Sequence, residues 1–565
     1  MIRFSASTAL LLLGFTFSAC ADTTPTRQDS AALSRRPNVL LVVADDLGYS
    51  DLGSFGGEIS TPNLDELAGE GIRLTNFHAG PTCSPTRSML MSGTYNHQAG
   101  LGAMAEWRAE NQRGKPGYEG YLNDRVLALP QLMQDSGYYT FMAGKWHLGM
   151  QPSQGPQARG FLDSFAMLPG AGGHYDQLGI NPRLPVIPYS ENGIEAELPD
   201  NFYSTSFYTD RAIAYINKSL ETPDQPFFGY VAYTAPHWPL QVDASYSDKY
   251  RGRYAGGYSE LKSERIDRMK RLGIVAPDVV AFEGSGCSAA WEDLSTDERL
   301  EQARLMELYA GMVDALDDNI GRLIDHLKAV DAYDNTLIVF MSDNGADARP
   351  PSGMGMESEF IASKYDNSIE NMGTSTSFVS YGSAWAEVGS VPFRLHKGMT
   401  TEGGVRVPAI VRLPGGSSSG AIKRGFSSVL DLLPTFLDVA NAPDPRDQAV
   451  HESRFVPVGA SLIDYLQGHV DSVHSNEPYG FSVHRRQGLQ FNQWKIVRLP
   501  APYGDESWEL YDLEADPGET KNLAATMPAK TAEMVARWKE FAATTGIVVS
   551  EVSTRVPAEC TGARS

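Results

Sequence analysis

The sequence predicts an α/β protein with a large mixed, mostly parallel sheet flanked by helices, followed by a smaller α+β domain. Three observations carry this. Short apolar runs alternate with helical stretches through most of the chain. The run 38–44, NVLLVVA, is almost uninterrupted in apolar character, the pattern of a strand covered on both faces. After about Pro443 the rhythm changes to closely spaced short strands and one helix.

Taken in order, the first strand is 38–44. Thr61-Pro62 then opens a helix that ends near Gly71, because proline suits a first helical turn. Strands follow at 138–143, 227–234 and 336–342. The stretch 297–329 is a long amphipathic helix, with Leu305, Leu308, Met312 and Leu316 at core spacing. A strand at 407–413 is stopped by Pro414-Gly415, and 428–440 is the last helix of the large domain. Beyond it, 479–483, 494–499 and 508–513 are spaced like a small antiparallel sheet, and 529–543 reads as one helix. The expected divisions are a signal peptide at 1–20, a flexible tether at 21–36, the main domain at 37–445, the small domain at 446–553 and a loose tail at 554–565.

A chain of 565 residues is too long for one core, and 42% hydrophobic with 21% charged residues is ordinary for a folded enzyme. Forty-seven basic against 69 acidic residues give a net charge of −22. That surface repels nucleic acid and anionic membranes, so no nucleic-acid partner is expected and an anionic substrate needs a local basic pocket. Arg3 and the apolar run 9–17, too short to span a bilayer, read as an export signal. Phe17-Ser18-Ala19-Cys20 resembles a lipobox, which would lipidate Cys20; Ala19-Cys20-Ala21 also fits plain cleavage before Asp22. The expectation is an exported protein, periplasmic or lipid-anchored to the outer membrane, with Cys20 its one possible membrane attachment. Of the four cysteines, Cys287 and Cys560 are a possible disulfide pair that spacing does not decide.

The polar residues gather at strand ends, where open α/β sheets bind ligands. Asp45-Asp46 follow 38–44, Lys145-Trp146-His147 follow 138–143, His237 follows 227–234, and Asp343-Asn344 follow 336–342. Each has a plain reading as a cap, a turn or a solvated loop residue. Together at one sheet edge they would make an oxygen-rich site suited to Ca²⁺ or Mg²⁺. Cys83-Ser84-Pro85-Thr86-Arg87 opens a short helix that Gly93 is placed to stop. This sets Cys83 at a helix N-terminus, where an anion is favoured, with Arg87 one turn on.

These motifs resemble the type I sulfatases of the alkaline phosphatase superfamily, and most of all the bacterial arylsulfatases. Residues 83–87 match the C-x-P-x-R signature, and 143–149 (AGKWHLG) match the second signature. Asp45-Asp46, His237, Asp343-Asn344 and Lys397 fall in the expected order, and 509–513 with Asp516-Pro517 resembles the closing strand. The resemblance implies an alkaline phosphatase-like fold over roughly 37–545. It implies that a formylglycine-generating maturase oxidises Cys83 to formylglycine. It implies one calcium ion held by Asp45, Asp46, Asp343, Asn344 and the modified residue 83. The substrate would be a small-molecule sulfate ester, attacked at sulfur by a hydrated aldehyde and passing through a sulfated hemiacetal. Arg87, Lys145 and Lys397 would clamp sulfate oxygens, Asp343 would act as base, His237 would protonate the leaving group, and His147 would deprotonate the second hydroxyl. The rivals are a phosphonate or phosphate monoester hydrolase of the same superfamily, a non-catalytic calcium-binding surface protein, and a cysteine hydrolase. Substrate lids are expected at 105–120, 170–200 and 349–390, where His174, Tyr175 and Trp385 would either grip an aryl or alkyl group or simply pack the loops.

Overall fold

The computed structural model describes residues 36–350, 356–416, 420–447 and 454–552, together with Met1. The expected signal peptide, the tether before Arg36, Cys20, Cys560 and the tail lie outside them. No helix among the described residues is long and apolar enough to cross a membrane.

The strands, in chain order, are β1 (Asn38–Ala44), β2 (Ile72–His78), β3 (Tyr139–Lys145), β4 (Asp163–Met167), β5 (Leu178–Asn181), β6 (Leu184–Val186), β7 (Tyr189–Glu191), β8 (Ile194–Glu195), β9 (Phe227–Ala232), β10 (Thr336–Ser342), β11 (Arg406–Arg412), β12 (Ala421–Lys423), β13 (Ser427–Ser428), β14 (Tyr479–Val483), β15 (Arg486–Phe491), β16 (Trp494–Arg498) and β17 (Trp508–Asp512). The main sheet runs β12-β2-β11-β10-β1-β9-β3-β4-β7-β8, with β13 also on β2. Its centre is parallel: β1 pairs with β9 and β10, and β3 with β9 and β4. β11 and β7 run against their neighbours, so the sheet is mixed, as expected.

Alternate side chains of β1 enter two different cores. Leu40, Val42 and Ala44 join the one that contains Leu305, Leu308, Met312 and Leu316 of the helix Thr296–Ala329. Val39, Leu41 and Val43 join the other, with Met89 to Met91 and Leu432 to Phe436. This double burial explains the unbroken apolar run, since neither face meets water. The long helix starts with a reciprocal cap: Ser295 Oγ accepts from the Glu298 N–H at 3.3 Å, and Glu298 Oε2 accepts from the Ser295 N–H at 2.8 Å.

The strand register places the site. Ala44 lies opposite Ser342, and Gly144 opposite Ala232, so Asp45, Asp343 and Lys145 reach the same edge of the sheet. A Cβ at Gly144 would come within 1.9 Å of the Ala232 carbonyl oxygen, so only glycine admits this close strand approach. β11 is antiparallel, with Arg406 beside His78, and the loop preceding it therefore arrives at that same edge carrying Lys397.

The C-terminal sheet has four strands, β14-β15-β16-β17, all antiparallel. The sequence reading missed β15, whose Arg486-Gln487-Gly488 lacks an apolar run. Leu489, Phe491, Ile496 and Leu510 pack under Met534, Trp538 and Phe541 of the helix Pro528–Thr545. The described residues from Arg36 onward form one compact unit. The expected helix 428–440 is a 3₁₀ turn, Val429–Asp431, followed by the α-helix Leu432–Val439.

Candidate active site

Cys83 is the first residue of the helix Cys83–Ser92, every residue of which is buried. Pro85 sits in its first turn, and Gly93 closes it at φ 64°, donating its N–H to Met89 O. The Cys83 thiol lies 4.0 Å from Asp46 Oδ1. One ligand atom each from Asp45, Asp46, Cys83 and His237 all lie within 4.8 Å of one another. Burial pushes the thiol well above its ordinary pKa, outweighing the opposing pull of Lys145 and Lys397. An unmodified Cys83 is therefore a protonated, shielded thiol, which disfavours the cysteine-hydrolase reading.

Around it stands a ring of ion pairs. Lys145 Nζ is 2.6 Å from Asp45 Oδ2. Arg87 grips Asp343 Oδ2 through Nε at 3.0 Å and Nη2 at 2.8 Å, and its Nη1 donates to the Lys145 carbonyl and the Tyr230 hydroxyl, both at 3.1 Å. Lys397 Nζ is 2.7 Å from Asp46 Oδ1 and 3.0 Å from Asp347 Oδ2. Asn344 Nδ2 donates to Asp46 Oδ1 at 2.7 Å. Asp46 itself sits at φ 67°, an uncommon conformation for a residue with a Cβ.

Electrostatics separate the carboxylates. Burial raises Asp45 despite Lys145, and raises Asp46 strongly despite Lys397, with Asp347 and the other aspartates adding to it. For Asp343, burial acts in the same direction, but Arg87, Lys145 and Lys397 outweigh it and hold the carboxyl below its ordinary range. Asp45 Oδ1 and Asn344 Oδ1 are buried without a hydrogen-bond donor. Raised proton affinity on two facing carboxylates, with orphaned oxygens beside them, fits a hard divalent cation. Of the residues expected to hold calcium, Asp45, Asp46 and Cys83 stand in the close cluster with His237, while Asp343 is held by Arg87.

The two histidines are set differently. His237 Nδ1 is 2.6 Å from the Trp238 carbonyl, which can only accept, so Nδ1 carries the hydrogen and Nε2 faces Asp46 Oδ2 at 3.4 Å. Burial, then Lys397 and Lys145, push His237 well below its ordinary pKa. His147, at φ 55°, is 3.1 Å through Nε2 from Glu106 Oε1, while its buried Nδ1 has no hydrogen-bond partner. Burial lowers it, with Glu106 opposing and Lys145 and Arg87 adding to the lowering. His147 thus flanks the cluster and is not one of the four groups that crowd together.

Sequence reasoning missed Asp347, Glu106, Tyr230 and Trp238. Asp347 had a signal, a carboxylate four residues past Asp343; Tyr230 lies inside an apolar strand and had none. Of the expected lid residues, Trp385 and His174 pack the structure. Trp385 is fully buried against Tyr258, Tyr254 and Trp291, because its ring completes the core beside the long helix. His174 is buried and donates through Nε2 to the His237 carbonyl at 3.0 Å, bracing that loop. The ring beside the site is Trp238, whose centroid is 4.4 Å from that of His237.

Comparison with known proteins gives the same answer. The Sulfatase family model matches residues 37–442, and the model described as N-sulphoglucosamine sulphohydrolase, C-terminal, matches 394–542. An uncharacterized sulfatase of Schizosaccharomyces pombe is 43% identical over 532 residues, covering 92% of this chain and 96% of its own. An arylsulfatase of Klebsiella aerogenes is 38% identical over 438 residues, covering 76% of this chain and 92% of its own. The crystal structure of Ps i-CgsB in complex with k-i-k-neocarrahexaose superposes with a TM-score of 0.65 at 25% identity, covering 92% of this chain and 96% of that one. With the alkaline phosphatase-like sheet and the Cys83 pocket, these matches show that the chain belongs to the type I sulfatase family and is a sulfuric ester hydrolase.

Proposed function

We propose that the chain hydrolyses aryl sulfates to a phenol and inorganic sulfate, using residue 83 in its formylglycine form and one calcium ion held by Asp45, Asp46, Asp343 and Asn344. The observation that carries this is the charge of the pocket. Four carboxylates (Asp45, Asp46, Asp343, Asp347) face three fixed cations (Arg87, Lys145, Lys397). Among these ion-paired side chains the carboxylates outnumber the cations by one. A divalent ion turns that into one positive charge, which a singly charged sulfate monoester cancels. A doubly charged phosphate monoester would leave the buried pocket negative, at a desolvation cost.

When bound, the calcium supplies charge neutralisation and acidifies the nucleophilic hydroxyl of residue 83. The side chains do the rest. The helix N-terminus at residue 83 and the ammonium groups of Lys145 and Lys397 take up the negative charge of the sulfate oxygens. Arg87 holds Asp343 by its fork, leaving Oδ1 as the less engaged oxygen, reached only by the Asp46 N–H at 3.3 Å. That oxygen serves as cation ligand and as acceptor of the first proton. His237, with its tautomer set by the Trp238 carbonyl, presents Nε2 to the leaving oxygen. Burial, then Lys397 and Lys145, disfavour its protonation, and an anionic ester offsets the part due to the two lysines. His147 Nδ1 takes the proton of the second hydroxyl of the sulfated hemiacetal, so that the aldehyde re-forms and the carbon–oxygen bond to sulfate breaks, and Glu106 holds the other ring nitrogen. The arylsulfatase relative supports an aromatic leaving group.

The proposal includes maturation by a formylglycine-generating enzyme and export through the 1–20 segment, with Cys20 as the candidate lipid anchor. The test is turnover of nitrophenyl sulfate, with and without chelator, beside mass spectrometry of the peptide that holds Cys83. Turnover with the thiol-to-aldehyde mass change is expected. Full activity with an unmodified thiol contradicts the mechanism.

A further inference from the structure

We propose that Asp347 sets the charge this pocket accepts, discriminating against doubly charged esters such as phosphate monoesters while admitting singly charged sulfate and phosphonate monoesters. The inference rests on the sulfatase reading above, which gives Asp347 no chemical step.

The pairing pattern singles the residue out. Lys145 is matched to Asp45 and Arg87 to Asp343. Lys397 is shared, 2.7 Å from Asp46 and 3.0 Å from Asp347. Asp347 is thus the carboxylate that shares its hydrogen-bonded cation with another carboxylate. Its position is built, since Oδ1 accepts the Arg349 N–H at 2.7 Å and its side chain is only 14% exposed. Lys397 holds this carboxyl below its ordinary range against the opposing effect of burial. It lines the same crevice as Asp46, His237 and Trp238. The Arg349 guanidinium lies over the Trp238 ring at 3.9 Å, and its positive charge also acts on Asp347.

Removing the Asp347 charge balances the side chains, three against three, and makes room for a second negative charge on the substrate. As a general scale, a unit charge at about 7 Å in an effective dielectric near 20 is worth roughly fiftyfold in affinity, and solvent screening brings the expected effect to about tenfold. The effect should fall on dianions relative to monoanions. A residue that merely positioned Lys397 would change all three ester classes together.

The experiment compares kcat/KM for nitrophenyl sulfate, nitrophenyl phosphate and nitrophenyl phenylphosphonate at pH 8, with wild type, Asp347→Asn and Asp347→Glu. Asp347→Asn keeps an oxygen for Lys397 and loses the charge. It should raise the phosphate-to-phosphonate ratio about tenfold and leave the sulfate-to-phosphonate ratio within about twofold. Asp347→Glu should keep the wild-type ratios. An unmoved phosphate-to-phosphonate ratio in Asp347→Asn, or a parallel loss on all three esters, overturns the proposal. Should Asp347→Asn fail to fold, wild type alone tests the charge rule. Its phosphate-to-phosphonate ratio must rise as pH falls through the phosphate ester's second ionisation near pH 6, and a flat ratio overturns the rule. Wild type that leaves sulfate esters intact would instead strike the sulfatase reading beneath it.

Discussion

Replacing Lys495 by methionine should cost this protein about 3–5 kcal/mol at pH 8. Lys495 lies on β16, fully buried, with Nζ 2.6 Å from Glu402 Oε1 and 3.3 Å from Glu519 Oε1. Glu402 is also 3.1 Å from His78 on β2, and its N–H donates to Glu519 Oε2 at 2.8 Å. The lysine therefore joins the C-terminal sheet to the turn that leads into β11. Methionine fills much of the volume but leaves two carboxylates, both at zero exposure, without their ammonium. Protonation recovers part of the loss. Burial, opposed by Lys495 and reinforced by Glu402, already pushes Glu519 up to about 7, above its unfolded value near 4.3. The sign follows: the folded state binds the extra proton, so this contribution is complete below about pH 4 and is lost as pH rises through about 7. Without Lys495, Glu519 moves higher still, and the deficit is widest above pH 7 and narrows toward pH 5. Urea unfolding of both proteins at pH 5.5 and pH 8, read by linear extrapolation, measures it. A deficit under about 1 kcal/mol at pH 8, or one that widens toward acid, would refute the reasoning.

Chelation should abolish sulfate ester hydrolysis, and added calcium should restore it more fully than zinc, since the donors around Asp45 and Asn344 are mostly oxygens; a chelator-insensitive activity counts against the cation site. Arg87→Lys keeps the charge but loses the fork on Asp343 and the bonds to the Lys145 carbonyl and Tyr230, so kcat/KM should fall by about a hundredfold or more, measured on protein whose residue 83 is shown by mass spectrometry to be converted. At His474, burial acts downward, but the bonds and charges of Asp431 and Glu477 outweigh it and lift the ring to about 9. Its stabilisation is complete below about pH 6.5 and lost as pH rises through 9, so His474→Gln should flatten the stability profile over that window, read by urea unfolding.

Much of the fold was legible because the residues carry their periodicities openly. The unbroken run of β1 and the heptad-like leucines of the helix Thr296–Ala329 have one physical solution each. β15 was hidden because its first three residues, Arg486-Gln487-Gly488, spend their polar groups on the main domain. Arg486 Nη1 donates to the Gly398 carbonyl at 2.6 Å, and the Gln487 carbonyl accepts from Thr400 at 3.0 Å. A strand whose partner is a polar loop does not alternate like one over an apolar core. The site was legible where a polar pair interrupts a strand, as at Asp45-Asp46 and Asp343-Asn344. Glu106 and Trp238 were not, because a single glutamate or tryptophan in a loop looks the same whether it holds a histidine or covers the surface.

Lys397 shows what sequence order alone does not convey. It belongs to no strand end of the parallel set and lies more than fifty residues past Asp343. Its place depends on β11 running antiparallel, which returns the chain's preceding loop to the edge where the parallel strands finish. That loop is held at both sides. Gly398 donates its N–H to the Pro81 carbonyl at 2.7 Å, two residues before Cys83, and its carbonyl accepts from Arg486 of the C-terminal sheet. The small sheet therefore reaches the chemistry through the backbone carbonyl of the residue that follows one lysine. Loosening that sheet should lower turnover before it unfolds the main sheet, because Lys397 bridges Asp46 and Asp347 and only its loop keeps it there.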